Sequence, residues 1–461
     1  MSKDAASFRD RSGYVFTQDG KIFRWISPEY MPQYHHLMES GLYEALLSRR
    51  LIVPHKEVEL DGFDEGIVIQ PKRIPFISYP YEWCFDQYRD AALATMDIQN
   101  AVMEYGMVLK DASAYNIQFL NGHTVLIDTL SFDFYSEGSP WGAYGQFCRH
   151  FFAPLLLMSE IDERMGRIMQ SFIDGIPLDL AASLLKGRGG FAAQKHIVLH
   201  SKAVNAHNDD GKKGAVKQTV MSKKALTAFC ESIRSDTAKL RRIDSASEWG
   251  NYYSNTNYTD SGSRDKAEIV REMLGKVAPL KHVWDLGAND GRFSRISVEM
   301  GVHAVAFDLD YRAVEQNWKH VKETHEKMLP LVLDLSAPSP AIGFANEERK
   351  TISERQKPDC IMMLAVIHHM AISNNVPFEK IAAWVVKMTD NLIIEFVPKD
   401  DSQVQVLLAT REDIFSDYDE AHFEQAFGHW FDLEIKKPVI ESKRSVYLWH
   451  RKKIFEDGQK E

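Results

Sequence analysis

The residues whose types and spacing best suit chemistry lie in VWDLGANDGRFS, where Asp285, Gly287, Asn289 and Gly291 fall in one turn between an apolar strand and a helix. Glycine at a strand end lets the backbone pass close beneath a ligand, beside the first turn of the next helix. A pyrophosphate would want G-x-G-x-x-G, bare amides and no carboxylate aimed at it. This loop carries Asp285 and Asp290 instead, so its charge suits a nucleoside-like ligand that bears a cation.

Further acids recur where such a ligand would need them. Asp308 ends HAVAFD, 21 residues beyond Gly287, where a carboxylate can accept both ribose hydroxyls. Asp334 ends LPLVLD and is placed for an adenine amino group; Leu309 and Leu335 follow these two acids on the same rim. Leu364 and Ala365 end the next strand, where backbone carbonyls could hold the ligand's other end. All lie at strand carboxyl ends, the rim at which open α/β sheets bind ligands. A sulfonium and an ammonium are the cations of S-adenosylmethionine, and the charge of the loop selects that methyl donor.

The elements that must position these residues alternate regularly from residue 281: HVWDLG, HAVAFD, LPLVLD, CIMMLA and NLIIEFV are apolar strands separated by helical or polar segments. This is the pattern of a parallel sheet wrapped by helices. FDLEIKKPV and RSVYLWH fit a closing hairpin, and the charged stretch 345–357 is expected as an exposed helix or loop. With DLGANDG, AFD, LDL and MMLAVIHH in this order, the expected domain 246–455 resembles the class I S-adenosylmethionine-dependent methyltransferases over about residues 249–450. The resemblance implies an α/β, Rossmann-like, seven-stranded sheet with an antiparallel final strand and no metal requirement for methyl transfer. It also makes the aromatic segment EWGNYYSNTNY, with Trp249, Tyr253 and Tyr258, a candidate lid.

Methyl transfer from a sulfonium is an in-line displacement, so the protein has mainly to position, desolvate and deprotonate the acceptor. His368 and His369 follow the fourth strand and have the pKa range of a base near neutrality. Glu395, ending NLIIEFVPKDD, is a second candidate, with Asp400 and Asp401 behind it. The family's N-methyltransferase signature, Asn or Asp followed by two prolines and an aromatic, is absent after the fourth strand, which points to an oxygen acceptor.

The first 185 residues read as an α+β domain that selects the acceptor or binds a partner. In LKDASAYNIQFLNGHTVLIDTLSF, Asp111, Asn116 and Asp128 are spaced like the catalytic loop of a protein kinase, in which such residues orient the acceptor hydroxyl and hold magnesium on ATP. PFISYPYEWCF is then expected as a strand leading to a hinge, GYVFTQDGKIFRWI as a hairpin and HHLMESGLYEALLSRR as a helix. Leu109-Lys110, Thr129-Leu130 and TQDG depart from the kinase signature. Across SYPYEWCF, LKDASAYNIQF and IHHMAISNNVPF the whole chain resembles the nodulation-protein NoeA-like methyltransferases, which implies a bacterial glycan or specialised-metabolite acceptor.

Residues 186–245 are expected as a basic connector with some helix: Lys186–Arg242 hold 13 Lys or Arg against four acids. The formal charge of −10 offers no whole-protein attraction to nucleic acid or an anionic membrane. Four dispersed cysteines, a polar start and apolar runs too short to span a bilayer point to a cytoplasmic protein without membrane insertion. The competing readings are a bifunctional kinase-methyltransferase, a non-catalytic scaffold of degenerate enzyme folds, and a nucleic-acid methyltransferase using the basic connector.

Overall fold

The computed structural model describes residues 1–63, 65–201, 220–243, 259–409 and 411–453. Trp249, Tyr253 and Tyr258 lie outside the described residues. The chain divides into two compact units, Met1–Ser245 with Ala341–Arg349, and Ala246–Pro340 with Lys350–Glu461.

The first unit opens with an antiparallel sheet of β1 (Ser2–Lys3), β2 (Gly13–Gln18), β3 (Lys21–Ile26), β4 (His55–Glu57) and β5 (Ile67–Pro71), in the order β1-β2-β3-β5-β4. TQDG is the tight turn of the β2–β3 hairpin: Asp19 and Gly20 both have positive φ, as the twist of a two-residue hairpin loop requires. Ile26, Tyr34, Ile69 and Leu130 close the core beneath it. HHLMESGLYEALLSRR forms two helices rather than one, because Gly41 at φ 85 interrupts it between Met31–Glu39 and Leu42–Ser48. PFISYPYEWCF is not a strand. It holds only a short 3-10 turn at Pro80–Glu82, since Pro75 and Pro80 cannot donate to a ladder.

Behind the sheet runs the 20-residue helix Phe85–Glu104, buried along most of its length. It leads into β6 (Met107–Leu109), which pairs with β9 (Phe132–Phe134), and between them stands the hairpin β7 (Ile117–Leu120) and β8 (His123–Leu126). The expected connector 186–245 is, where described, part of this unit. Helix Lys223–Lys239 buries Leu226, Cys230, Ile233 and Thr237, a stripe at helical spacing, and packs along Phe85–Glu104. Its Lys and Arg residues lie on the other faces, so composition hid the stripe.

The second unit is built on a seven-stranded sheet: β10 (His282–Leu286), β11 (His303–Asp308), β12 (Met328–Val332), β13 (Cys360–Met363), β14 (Asn391–Phe396), β15 (Phe431–Pro438) and β16 (Ser445–Arg451), ordered β12-β11-β10-β13-β14-β16-β15. The first five strands pair in parallel and β16 runs antiparallel to both neighbours. CIMM is wholly buried and NLIIEF nearly so, as strands covered by helices on both faces must be. Val270, Met273, Val283, Met362, Ile393 and Leu448 form one core against helix Asp260–Val277. The sequence from β12 to β13 is not continuous with this unit. Ala341–Arg349 belongs to the first, where Ile342 bridges Arg349 and Glu348 takes two hydrogen bonds from Arg9, at 2.8 and 2.7 Å. The expectation of a purely exposed stretch at 345–357 fails there because Glu348 is buried in that pair.

Ile233→Ala distinguishes a packed helix from a solvated connector. It is expected to destabilise the first unit by about 2–5 kcal/mol in chemical denaturation, the range for truncating a buried isoleucine, against under about 0.5 kcal/mol at a solvated site.

Candidate functional site

A cavity of about 260 Å³ opens at the carboxyl ends of β10, β11, β12 and β13. Strand order reverses here: the chain passes from β10 outward to β11 and β12, then returns to the other side of β10 as β13. Crossovers that leave in opposite directions part the loops and leave a crevice. Asp285, Gly287, Asn289, Asp308, Leu309, Asp334, Leu335, Leu364 and Ala365 all line it.

The loop after β10 is held by Phe307, whose carbonyl accepts from Gly287 N and Ala288 N, both at 2.8 Å. Gly287 has φ +87, and a Cβ there would lie 2.1 Å from Val366 Cγ2. Gly291 does not line the cavity. Its φ is +80 and a Cβ would strike the Asn317 amide at 2.4 Å, so this glycine serves packing against helix Tyr311–Thr324. Asn289 and Ala365 also adopt positive φ, at 49° and 57°. For alanine this conformation is strained, and such residues cluster where a site demands a particular backbone course.

Three carboxylates carry the electrostatics. Asp285 is buried; Oδ2 accepts from Ser294 Oγ at 2.6 Å while Oδ1 has no partner. Burial pushes its pKa up to about 7. Asp308 is partly buried and gripped by Asn289 N at 2.7 Å and Asp310 N at 2.8 Å; desolvation raises it to about 6 against those hydrogen bonds. Asp334 accepts from Ser336 N at 2.9 Å and Ser336 Oγ at 2.6 Å. Of the charged residues lining the cavity, four are carboxylates, Asp310 being the fourth, and Lys266 is a cation. An orphaned buried carboxylate oxygen, a glycine cradle and hydrogen-bonded strand-end acids fit a nucleoside ligand with a cationic end.

The candidate bases separate. His369 lines the cavity, and burial, with Arg444 nearby, holds it down at about 4. His368 is fully buried beneath it, ring centroids 4.1 Å apart, with neither ring nitrogen partnered, and it does not reach the cavity. Glu395 is fully buried and ion-paired to Lys266 at 2.5 Å, with Arg444 Nη1 at 3.8 Å. A carboxylate clasped by two cations is no base. Asp401 binds Arg444 through two hydrogen bonds, and the exposed Asp400 pairs with Lys443. Ser263, Lys266, Met370, Ser373 and Asn374 are further lining residues that the sequence did not mark. The signal for Lys266 is its place on the apolar stripe of helix Asp260–Val277, in register with Ile269, Val270 and Met273.

In the first unit, Asp111 accepts from Ser113 N at 3.0 Å and Gln146 Nε2 at 2.7 Å, and Asn116 donates to Ser131 Oγ at 3.4 Å. Asp128, expected to hold magnesium, instead forms a direct ion pair with Arg24 and accepts from Leu130 N at 2.9 Å. Burial lowers Arg24 only to about 10, so it stays charged at neutral pH and supplies the positive charge a metal would bring. Among the described residues no group of three or more His, Cys, Asp or Glu is placed to hold a metal, and no helix is long and apolar enough to cross a membrane.

No family model matches the chain. The nodulation protein NoeA of Rhizobium meliloti (strain 1021) is 33% identical over 458 residues, covering 97% of this chain and 96% of that protein. Among solved structures, the magnesium protoporphyrin IX methyltransferase of Synechocystis PCC 6803 with bound SAH is 17% identical, matching 44% of this chain and 93% of that one with a TM-score of 0.31. The N-methyltransferase NodS of Bradyrhizobium japonicum WM9 is 9% identical, matching 42% and 97%, also with a TM-score of 0.31.

Gly287→Ala forces both a left-handed alanine and a clash. It is expected to cost about 1–3 kcal/mol in chemical denaturation. Gly301→Ala, at φ +84 with nothing within 4 Å of the new Cβ, isolates the conformational part and should cost less.

Proposed function

The chain belongs to the family of nodulation protein NoeA, and from the cavity of its second unit we propose that it is an S-adenosylmethionine-dependent methyltransferase acting on an oxygen of a glycan-related or specialised-metabolite acceptor. The observation that carries this reading is the acidic rim: Asp285 with an unpartnered oxygen, Asp308 and Asp334 at three successive strand ends, around a glycine turn that leaves room for a nucleoside. Such a rim repels phosphate and attracts a sulfonium and an ammonium.

When bound, adenosylmethionine supplies an electrophilic methyl group on a good leaving group. The protein's own residues then have limited tasks. Asp308 would accept from the ribose hydroxyls, Asp334 would accept from the adenine amino group, and Asp285 Oδ1 would take the ammonium. Leu309 and Leu335 would cover the base, and the residues around Leu364 and Ala365 would hold the amino-acid end. His369, neutral at physiological pH, orients the acceptor hydroxyl and receives its proton as the oxygen attacks. Being a weak base, it works by taking a proton that leaves in concert with methyl transfer rather than beforehand. The acceptor reading rests on this neutral histidine and on the absence of an Asn/Asp-Pro-Pro-aromatic signature in LAVIHHM.

Two measurements test it. Asp308→Ala is expected to weaken adenosylmethionine binding about 10–100-fold by calorimetry, the loss of charge-assisted hydrogen bonds; unchanged affinity would overturn the reading. Asp285 and Asp308 are ionised only above about 7 and 6, so affinity for the cationic donor should be full near pH 8 and fall as pH drops through that window. Because burial raises both pKa values in the folded state, the contribution of these two groups to the stability of the empty protein falls as pH rises from about 4 to 7. The thermal shift given by saturating donor is therefore expected to be larger at pH 8 than at pH 6. In extracts supplied with isotopically labelled donor, His369→Ala should lower label transfer by about 100-fold or more while binding of the donor persists.

A further inference from the structure

The chain carries more acids than bases, 65 against 55, yet one end of the first unit's antiparallel sheet is basic. Antiparallel pairing of β5 with both β3 and β4 brings the start of each of those strands to the end of β5. An open pocket of about 430 Å³ lies there, with Lys21, Lys56, Lys72 and Arg73 in its wall and no Asp or Glu. Two hydrogen bonds tie its frame together. Lys72 N donates to Pro54 O at 2.7 Å, and Arg73 Nη1 donates to Gly20 O, at the tip of the β2–β3 hairpin, at 3.4 Å.

The four cations have no counter-charge. Among the described residues no carboxylate oxygen lies within 4.0 Å of any of them, whereas Lys266, Lys436, Lys437, Lys443 and Arg444 are each paired. Asp19, beside Gly20, is exposed and stands outside the wall; Glu57, next to Lys56, accepts from the Tyr34 hydroxyl at 3.0 Å. His55 lines the pocket too, but burial holds its pKa down at about 4, so it adds no charge near neutrality. A concavity lined by one sign of charge concentrates ions of the other sign. Four positive charges exceed what one carboxylate would balance and match a phosphate monoester dianion or a diphosphate. The volume is that of a small-molecule site.

We propose that this end of the first unit binds a small ligand bearing a phosphate monoester or a diphosphate, with Lys21, Lys56, Lys72 and Arg73 supplying its counter-charge. The site lies wholly within the first unit and does not rest on the reading of the second unit's cavity. The kinase-like residues Asp111, Asn116 and Asp128 take no part in it, since none lines this pocket.

Inorganic pyrophosphate is the probe, titrated into the full chain by calorimetry at an ionic strength of about 20 mM, where exposed charges are little screened. Binding is expected, and it should weaken about tenfold or more when salt is raised to about 0.2 M. Lys21→Gln combined with Lys72→Gln is expected to lower the affinity about tenfold or more, two charges being removed from beside a multivalent anion. Both side chains are exposed, so the circular-dichroism spectrum and the unfolding midpoint should remain those of the wild type. Lys276→Gln combined with Lys387→Gln changes the net charge equally at exposed positions of the second unit and should leave the affinity within about twofold. The proposal is overturned if the wild type does not bind pyrophosphate at low salt, if the two double variants weaken binding alike, or if the Lys21/Lys72 variant binds as the wild type does. A mixed-sequence single-stranded oligonucleotide is expected to bind no more tightly than pyrophosphate. Tighter binding that is lost in the Lys21/Lys72 variant makes the patch a nucleic-acid surface and overturns the small phosphate ligand.

Discussion

Everything in the second unit follows from the reversal of strand order at β10. A strand paired with β11 on one side and β13 on the other has its carboxyl end buried between diverging crossovers, and a carboxylate there cannot reach bulk water. Asp285 is that carboxylate. Its Oδ1 has no partner among the described residues, and the glycine turn above it, Asp308 held by two amides and the left-handed Ala365 line the same cavity.

The same burial governs the charges that do not face the ligand. Lys266, Glu395, Arg444 and Asp401 are each at most 7% exposed on the side chain. Singly each would be expelled or neutralised; as an alternating row they offset one another's desolvation. The row reaches from the start of β16 to helix Asp260–Val277, residues distant in sequence, so the wall of the cavity and the antiparallel edge of the sheet are held by one electrostatic unit. Burial, with a smaller contribution from Arg444, also lowers the pKa of both His368 and His369.

The first unit shows the same economy with the opposite consequence for chemistry. Asp128 sits at the end of β8 where the kinase-like spacing would want a metal ligand, and Arg24 from β3 has taken the position of the counter-charge. A guanidinium fixed by covalent attachment is always present at its partner, whereas a metal must be bound from solution. The loop at 111–116 is tied down in parallel by Gln146 and Ser113.

The sequence by itself determined what is local or periodic. Apolar runs marked the strands of the second unit and the acids at their ends marked the rim, because strand conformation depends on residues near one another in the chain. Tertiary structure decided what depends on partners far away. Glu395 meets Lys266 across 129 positions and Asp128 meets Arg24 across 104, so a candidate base and a candidate metal ligand each became half of an ion pair. Of two adjacent histidines only the backbone's course could say which faces the cavity, and Gly291 looked like a ligand glycine until the Asn317 side chain was seen against it. The assignment of 341–349 to the first unit and of helix Lys223–Lys239 to its core likewise rests on buried contacts, and burial is a property of the packed chain, not of composition.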